Sequence, residues 1–322
     1  MTKEELRIVY MGTPDFAVET LRLLVENKYN VVAVVTMPDK PAGRGHKIQF
    51  SSVKQYALSV GLPILQPVNL KDEAFIEELR SYQAHLQIVV AFRMLPQIVW
   101  DMPPMGTFNL HASLLPQYRG AAPLNWAIMN GDKETGITTF FLTHEIDTGR
   151  VIQRRSIEIA DTDNVGIIHD RLMMMGAEMV CETVDNIIAD KVVAIPQEEL
   201  MTDEPLRPAP KIFKDTCHLD FTRSVEQLYN QVRGLSPYPA AWCEFVSPEG
   251  EAIGVKIFEA ARHTCNHNLT PGTVVTDGKK NIEIACEGGY LQLLSLQLAG
   301  KKRLSAEELL RGFRLTNDYK AQ

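Results

Sequence analysis

Asn109 and His111 stand two residues apart, where an apolar run gives way to the turn Ser113-Leu114-Leu115-Pro116. In an extended backbone that spacing points both side chains to the same side, so an amide and an imidazole face one space. Asp147, in His144-Glu145-Ile146-Asp147-Thr148-Gly149, adds a carboxylate on a second strand-end turn. Acyl transfer to an amine needs donors at the developing oxyanion, a group to manage the amine's proton and a third group to orient it. Taken singly, the histidine and the aspartate have plainer readings as a structural imidazole and a turn cap. The three together, in their surrounding sequence, outweigh those readings.

Other chemistries are poorly supplied. Ser113 lacks a Gly-x-Ser-x-Gly elbow, so direct transfer is expected and not an acyl-enzyme. The remaining histidines form no HExxH pattern and the five cysteines no CxxC spacing, so no metal and no disulfide framework is expected. Gly12-Thr13-Pro14-Asp15 follows a strand but carries one glycine in place of GxGxxG, and no P-loop lysine. That argues against a nicotinamide or flavin cradle.

The elements that must position these residues alternate. Arg7 to Tyr10 reads as a strand, followed by a helix on Ala17, Leu21, Leu24 and Val25 with Thr13 as its cap and Pro14 in its first turn. Val31 to Thr36 is a second strand, and Ser51 or Ser52 caps a helix carrying Val53, Ala57 and Val60. A helix with Phe75 and Leu79 precedes the buried strand Leu86 to Ala91, and Gly106 to Leu110 ends at the candidate site. Unbroken apolar strands alternating with helices predict an α/β fold, a Rossmann-like, mostly parallel sheet covered by helices on both faces. Sites in such sheets lie beyond the carboxyl ends of strands, where Asn109 and His111 fall. A helix over 122–129, strands over 136–143 and 150–158, and a long helix over 165–189 with methionines as core filler complete this part.

Pro205, Pro208 and Pro210 mark a change of composition. The expected domains are 1–203, a linker over 204–210, and 211–322. Beyond the linker come a helix on Val225, Leu228 and Val232 and five short strands over 242–246, 252–260, 272–276, 282–286 and 290–298, which suggest a small barrel. Ser305 with Glu308 forms a capping box for a last helix.

The composition, 45% hydrophobic and 23% charged over 322 residues, is that of an ordinary globular protein. No apolar run is long enough to span a bilayer and the polar start is no secretory signal, so a cytoplasmic address is expected. The net charge of −7 is uneven: 19 Lys+Arg stand against 27 Asp+Glu in residues 1–207, and 14 against 13 in 208–322. A neutral C-terminal part is compatible with a nucleic-acid contact without establishing one. Thr36 to Gln49 is Pro- and Gly-rich and carries Lys40, Arg44, His46 and Lys47 against Asp39 alone. Gripping phosphates and lying solvated on the surface are equally open readings of that loop.

The chain resembles the formyltetrahydrofolate-dependent formyltransferases, and among them the methionyl-tRNA formyltransferases, over nearly its whole length. The resemblance rests on Met-Gly-Thr-Pro-Asp-Phe-Ala at 11–17, Pro-Asp-Lys-Pro-Ala-Gly-Arg-Gly at 38–45, Ser-Leu-Leu-Pro-Gln-Tyr-Arg-Gly-Ala-Ala-Pro at 113–123, Asp147-Thr148-Gly149 and Ala-Gly-Lys-Lys at 299–302. It implies a C-terminal OB-fold-like barrel that helps hold tRNA. It also implies 10-formyltetrahydrofolate as co-substrate, bound near Ser113, Leu114, Leu115 and Pro116 and bordered by Arg93, Met94 and Leu95. By the same resemblance the acceptor is the amine of methionyl initiator tRNA, held by Lys40, Arg44, His46, Lys47, Lys301 and Lys302, and catalysis falls to Asn109, His111 and Asp147. A tetrahedral oxyanion would be held by Asn109 and His111, and the chain would act as a monomer. A sugar-nucleotide or purine-precursor acceptor is the alternative. Ala91-Phe92-Arg93-Met94-Leu95-Pro96 departs from the family pattern, being shorter and without glycine.

Overall fold

The structure, a computed structural model, describes residues 1–42 and 47–322. β1 (Ile8–Gly12), buried at every position, leads through α1 (Asp15–Glu26) to β2 (Val31–Val35). A short hairpin, β3 (Lys40–Ala42) with β4 (Lys47–Gln49), precedes α2 (Ser52–Ser59), β5 (Ile64–Leu65), α3 (Glu73–Ser81), β6 (Leu86–Val90), α4 (Gln97–Trp100) and β7 (Thr107–His111). Then come α5 (Pro123–Met129), β8 (Glu134–Phe141), β9 (Val151–Glu158) and the long α6 (Val165–Ile188). The sheet order is β5-β2-β1-β6-β7-β8-β9. Pairing is parallel from β5 through β7 and antiparallel between β7 and β8. The chain winds outward from β1 and then crosses back to β6, so a crevice opens at the carboxyl ends of β1, β6 and β7, the usual place for a ligand in a doubly wound sheet.

The strands bury both faces, which is why they read as unbroken apolar runs. On one face Val9, Met11, Val35 and Val89 pack with Phe75 and Leu79 of α3. Three local expectations differ from the structure. Pro14, not Thr13, is the N-cap of α1, and no side chain caps it. β1 runs two residues beyond the expected Tyr10, to Gly12, and the Thr13 hydroxyl is buried with no partner among the described residues. Val60 terminates α2 instead of lying inside it, while Ser51 caps its start, accepting from Lys54 N at 3.1 Å. In α6 Met179 is buried but Met174 is exposed, so not every methionine fills the core.

Two compact units make up the chain: Met1–Gly120, Gly136–Ile157 and His169–Pro208 form one, and Ala121–Thr135, Glu158–Ile168 and Ala209–Gln322 the other. Residues 121–135 and 158–168, which lie between stretches of the first unit in the sequence, belong to the second unit. The reason is tertiary. α5 packs on a later helix, α7 (Val225–Leu235), where a Cβ on Gly234 would lie 2.5 Å from Met129 Cγ and 3.0 Å from the Asn125 carbonyl oxygen. Only glycine allows that approach. Asp161 is gripped by both terminal oxygens through Arg262 Nη2, at 2.9 and 2.8 Å. Arg207 is tied to the segment after β7: Tyr118 N donates to Arg207 O at 2.8 Å, and Gln117 Oε1 accepts from Arg207 N at 2.9 Å.

The second unit continues with β10 (Ala241–Val246), β11 (Ala252–Thr264), β12 (Val274–Thr276), β13 (Ile282–Cys286), β14 (Gly289–Leu298), β15 (Leu304–Ser305), α8 (Ala306–Leu310) and β16 (Lys320–Ala321). The order β12-β13-β14-β11-β10-β16, with Thr273 bridging to Lys320, gives a nearly closed antiparallel barrel of OB type. All five expected strands are present, β15 and β16 are additional, and Ser305 and Glu308 form the expected capping box. Cys181, Cys217, Cys243 and Cys286 are buried free thiols and Cys265 is half-buried. Burial pushes the Cys243 thiol up to about 12, which makes it inert. Among the described residues no helix is long and apolar enough to cross a membrane.

Candidate active site

β7 carries the amide and the imidazole between two neighbours. Asn109 pairs with Val89 of β6 on one side and with Phe140 of β8 on the other, and His111 pairs with Thr138. Asn109 Oδ1 is buried and meets no hydrogen-bond partner among the described residues. A buried, unpaired amide oxygen is costly and is what a binding site leaves open for a ligand. His111 is 6% exposed. Its Nε2 lies 2.9 Å from the Tyr118 carbonyl oxygen, which can only accept, so Nε2 carries a proton. Nδ1 faces Asp147 Oδ2 at 3.9 Å, an electrostatic contact too long for a hydrogen bond.

Asp147 is held by its backbone as much as by its charge. Its φ of 55° is left-handed, a region aspartate tolerates better than most residues. Gly120 N donates to Oδ2 at 2.9 Å. Two residues on, a Cβ on Gly149 would lie 1.6 Å from the Phe141 carbonyl oxygen, so the turn can close only with glycine there. Gln197, fully buried in a 3-10 turn (Gln197–Leu200), donates from Nε2 to the Asp147 and Gly149 carbonyl oxygens at 2.8 Å each. Its Oε1 accepts from Arg119 Nε at 3.0 Å and Nη2 at 2.6 Å. No local pattern in the sequence marked Gln197, because its partners are 48 to 78 residues away.

The turn after β7 is built from within. Ser113 Oγ donates to Gln117 O at 2.6 Å; Thr138 Oγ1 donates to Ser113 O at 2.7 Å and accepts from Leu115 N at 3.1 Å. Ser113, Leu115 and Pro116 are buried, Leu115 among Phe140 and Val151, so Leu114 alone of the four has side-chain surface. In the segment after β6, Arg93 straps two loops together, donating to Val68 O at 2.8 Å and to Pro67 O. Burial pulls its guanidinium below the usual arginine range, and its Nε has no partner among the described residues. Leu95 is buried, and Met94 is exposed.

Of the basic-loop residues, Arg44 and His46 lie outside the described residues, and the Lys47 side chain is likewise not described; Lys40 is exposed. The root of the loop is fastened by residues the sequence did not single out. Lys54 Nζ reaches Asp39 Oδ2 at 2.5 Å and Gln66 Oε1 at 2.7 Å, while Gln66 Nε2 donates to Asp39 Oδ1 at 2.8 Å and Met37 O at 2.9 Å. The hydrogen bond from Lys54 holds the Asp39 carboxyl below its ordinary range. In the second unit Lys301 and Lys302 are exposed on the turn after β14. That turn borders a cavity of about 630 Å³ lined by Phe213, Lys214, Tyr238, Trp242, Lys256 and Gly300. Lys214 Nζ sits 4.8 Å from the Trp242 ring centre, and Tyr238 is 81% exposed.

A polar triad at the carboxyl end of a parallel sheet, followed by an OB-type barrel, has counterparts in known proteins. Residues 6–184 match the formyl transferase family and residues 211–314 its C-terminal domain. The chain belongs to the formyl transferase family, enzymes that move a one-carbon acyl group. It is 66% identical over 320 residues to a methionyl-tRNA formyltransferase of Bacteroides thetaiotaomicron, covering 99% of each chain. Against that of Parabacteroides distasonis it is 63% identical over 321 residues, again covering 99% of each. Among solved structures, WlaRD, a sugar 3N-formyl transferase, aligns with a TM-score of 0.63 over 92% of this chain and 99% of that one. At 18% identity that likeness is one of fold.

Proposed function

We propose that this chain transfers the formyl group of 10-formyltetrahydrofolate to the α-amino group of methionyl initiator tRNA, giving N-formylmethionyl-tRNA in the cytoplasm. The observation that carries the reading is full-length identity to methionyl-tRNA formyltransferases in a chain whose β7 ends on an unpaired buried amide beside an imidazole–carboxylate pair. The solved WlaRD, crystallised in the presence of dTDP and 5-N-formyl-THF, supports a formylated folate as donor. A sugar-nucleotide acceptor has only that distant likeness of fold behind it.

The donor supplies an activated formyl carbon. The amine attacks it, a carbon–nitrogen bond forms, the bond to the folate nitrogen breaks, and the amine's proton ends on that leaving nitrogen. Asn109 has two jobs open to it: its Nδ2 hydrogens are the donors that steady the charge on the formyl oxygen, and its Oδ1, unpaired among the described residues, accepts from an N–H of the incoming amine. His111 was expected to share that task, but its Nε2 proton is engaged by Tyr118, so Nδ1 is the nitrogen that remains. Facing Asp147, Nδ1 takes the amine's proton and the carboxylate steadies the resulting imidazolium. Leu114, Met94 and the backbone of 113–116 and 93–95 are the surfaces offered to the folate. Lys40, Arg44, His46 and Lys47 are assigned to the acceptor end of the tRNA. Lys301, Lys302 and the aromatic, lysine-fringed cavity are assigned to its body, since stacking faces and cations are what nucleic acid selects.

Incubation with 10-formyltetrahydrofolate and charged initiator tRNA, with uncharged tRNA as control, tests donor and acceptor together. Mass measurement of the aminoacyl product should show formylmethionine only with charged tRNA. Formylation of a sugar nucleotide in its place would overturn the reading.

A further inference from the structure

We infer that Gln197 is a positioning residue that sets the Asp147 carboxylate against His111, an inference that rests on the catalytic reading of Asp147 given above. The chemistry of its partners fixes the orientation of its amide. Arg119 offers only donors, so the atom facing it is the oxygen; the Asp147 and Gly149 carbonyls offer only acceptors, so the atom facing them is the NH2 group. All four bonds lie between 2.6 and 3.0 Å and the side chain is fully buried. Both amide protons and both acceptor sites of the oxygen are therefore used.

The bonds converge on the one turn whose geometry matters to the proton handler. Asp147 holds a left-handed backbone, which persists in a non-glycine residue where its surroundings fix it. Gln197 binds the Asp147 carbonyl and the one two residues later, and so fixes the peptide planes that follow Asp147 and Gly149. Gly120 N then holds the carboxylate oxygen that faces His111 Nδ1. Arg119, the residue before Gly120, is tied to the other end of the same amide. One side chain thus links the segment that holds the carboxylate oxygen to the turn that carries the carboxylate. Misplacement of a reacting group by about 1 Å can cost about a hundredfold in rate, so a device of this kind has kinetic consequences without touching substrate.

Two substitutions test it. Gln197→Met removes all four bonds at nearly constant size. Gln197→Glu keeps an acceptor for Arg119 but turns a carboxylate toward two carbonyl oxygens. Each is expected to lower kcat by about tenfold or more while KM for folate and for charged tRNA stays within about twofold. Each is also expected to cost less than about twofold once Asp147 is already Asn, since two residues acting as one unit are not additive. Gln197→Glu turning over at the parental rate would overturn the inference, because the bonds to the turn would then be dispensable. The same fold-loss for Gln197→Met in the parent and in the Asp147→Asn background would overturn it too, by showing a merely structural role. Parental activity in Asp147→Asn alone would sink the reading of Asp147 and leave the two failures distinguishable.

Discussion

His111 turns its one unspent nitrogen toward Asp147: Nδ1 lies 3.9 Å from Oδ2 while Nε2 is bound to the Tyr118 carbonyl at 2.9 Å. The backbone thus selects the tautomer in which the neutral ring carries its proton on Nε2 and keeps Nδ1 open as a base. Nitrogen NMR of the histidine-labelled protein is expected to show that tautomer for His111 when neutral. A neutral ring protonated on Nδ1 would contradict the assignment.

Asn109 is the one side chain of the triad with an unsatisfied buried atom. Asn109→Ala is expected to lower kcat by about 10²–10³-fold with little change in either KM, as for the loss of a single oxyanion donor. Single-turnover measurements with bound charged tRNA separate this from a binding defect, and an unchanged chemical step would remove Asn109 from the mechanism.

The cavity of the barrel unit should matter to one substrate only. Lys214→Glu and Tyr238→Ala are expected to raise KM for charged tRNA, by about tenfold for the charge reversal, and to leave KM for folate unchanged. Lys214→Glu should also make tRNA binding less salt-dependent, since one fewer phosphate contact releases fewer counterions. Filter binding across a salt series checks both, and parental tRNA affinity in both variants would clear the cavity of an RNA role.

Acid stability should depend on a turn of the second unit. Asp277 Oδ1 accepts from the backbone nitrogens of Lys279, Lys280 and Asn281 at 2.9, 2.8 and 3.0 Å. Those bonds lower its carboxyl from 3.8 to about 2. A depressed carboxyl stabilises the fold fully above its ordinary value and loses that contribution as pH falls through the lowered one. Asp277→Ala should therefore melt below the parent at neutral pH, with the gap shrinking between pH 3.8 and about 2. Melting curves across that range would refute the assignment if the gap stayed constant.

The sheet was legible in the sequence because burial on both faces leaves unbroken apolar strands, and β1, β2, β6 and β7 fall where those runs lie. The barrel strands were legible as five short runs in a short stretch of chain, and the last helix from its capping box. Partners distant in the chain were not legible. Neither Gln197 nor the Lys54–Gln66 brace of Asp39 has a local signature, and the membership of α5 in the second unit depends on the contact at Gly234. The exchange of Thr13 for Pro14 as the cap of α1 is a shift of one residue in where the helix starts, which periodicity does not resolve.

The unpaired oxygen of Asn109 bears on heat resistance as well as on rate. An amide kept unsatisfied in the middle of a packed sheet weakens the resting fold, and an apolar side chain of similar size would relieve it. Asn109→Leu is expected to melt about 2–4 °C higher than the parent while losing turnover. A lower melting temperature for that dead variant would show that the amide supports the fold after all. A selection for thermostability alone would then drift toward apolar residues at this position, so any search for a hardier enzyme has to select for formylation at the same time.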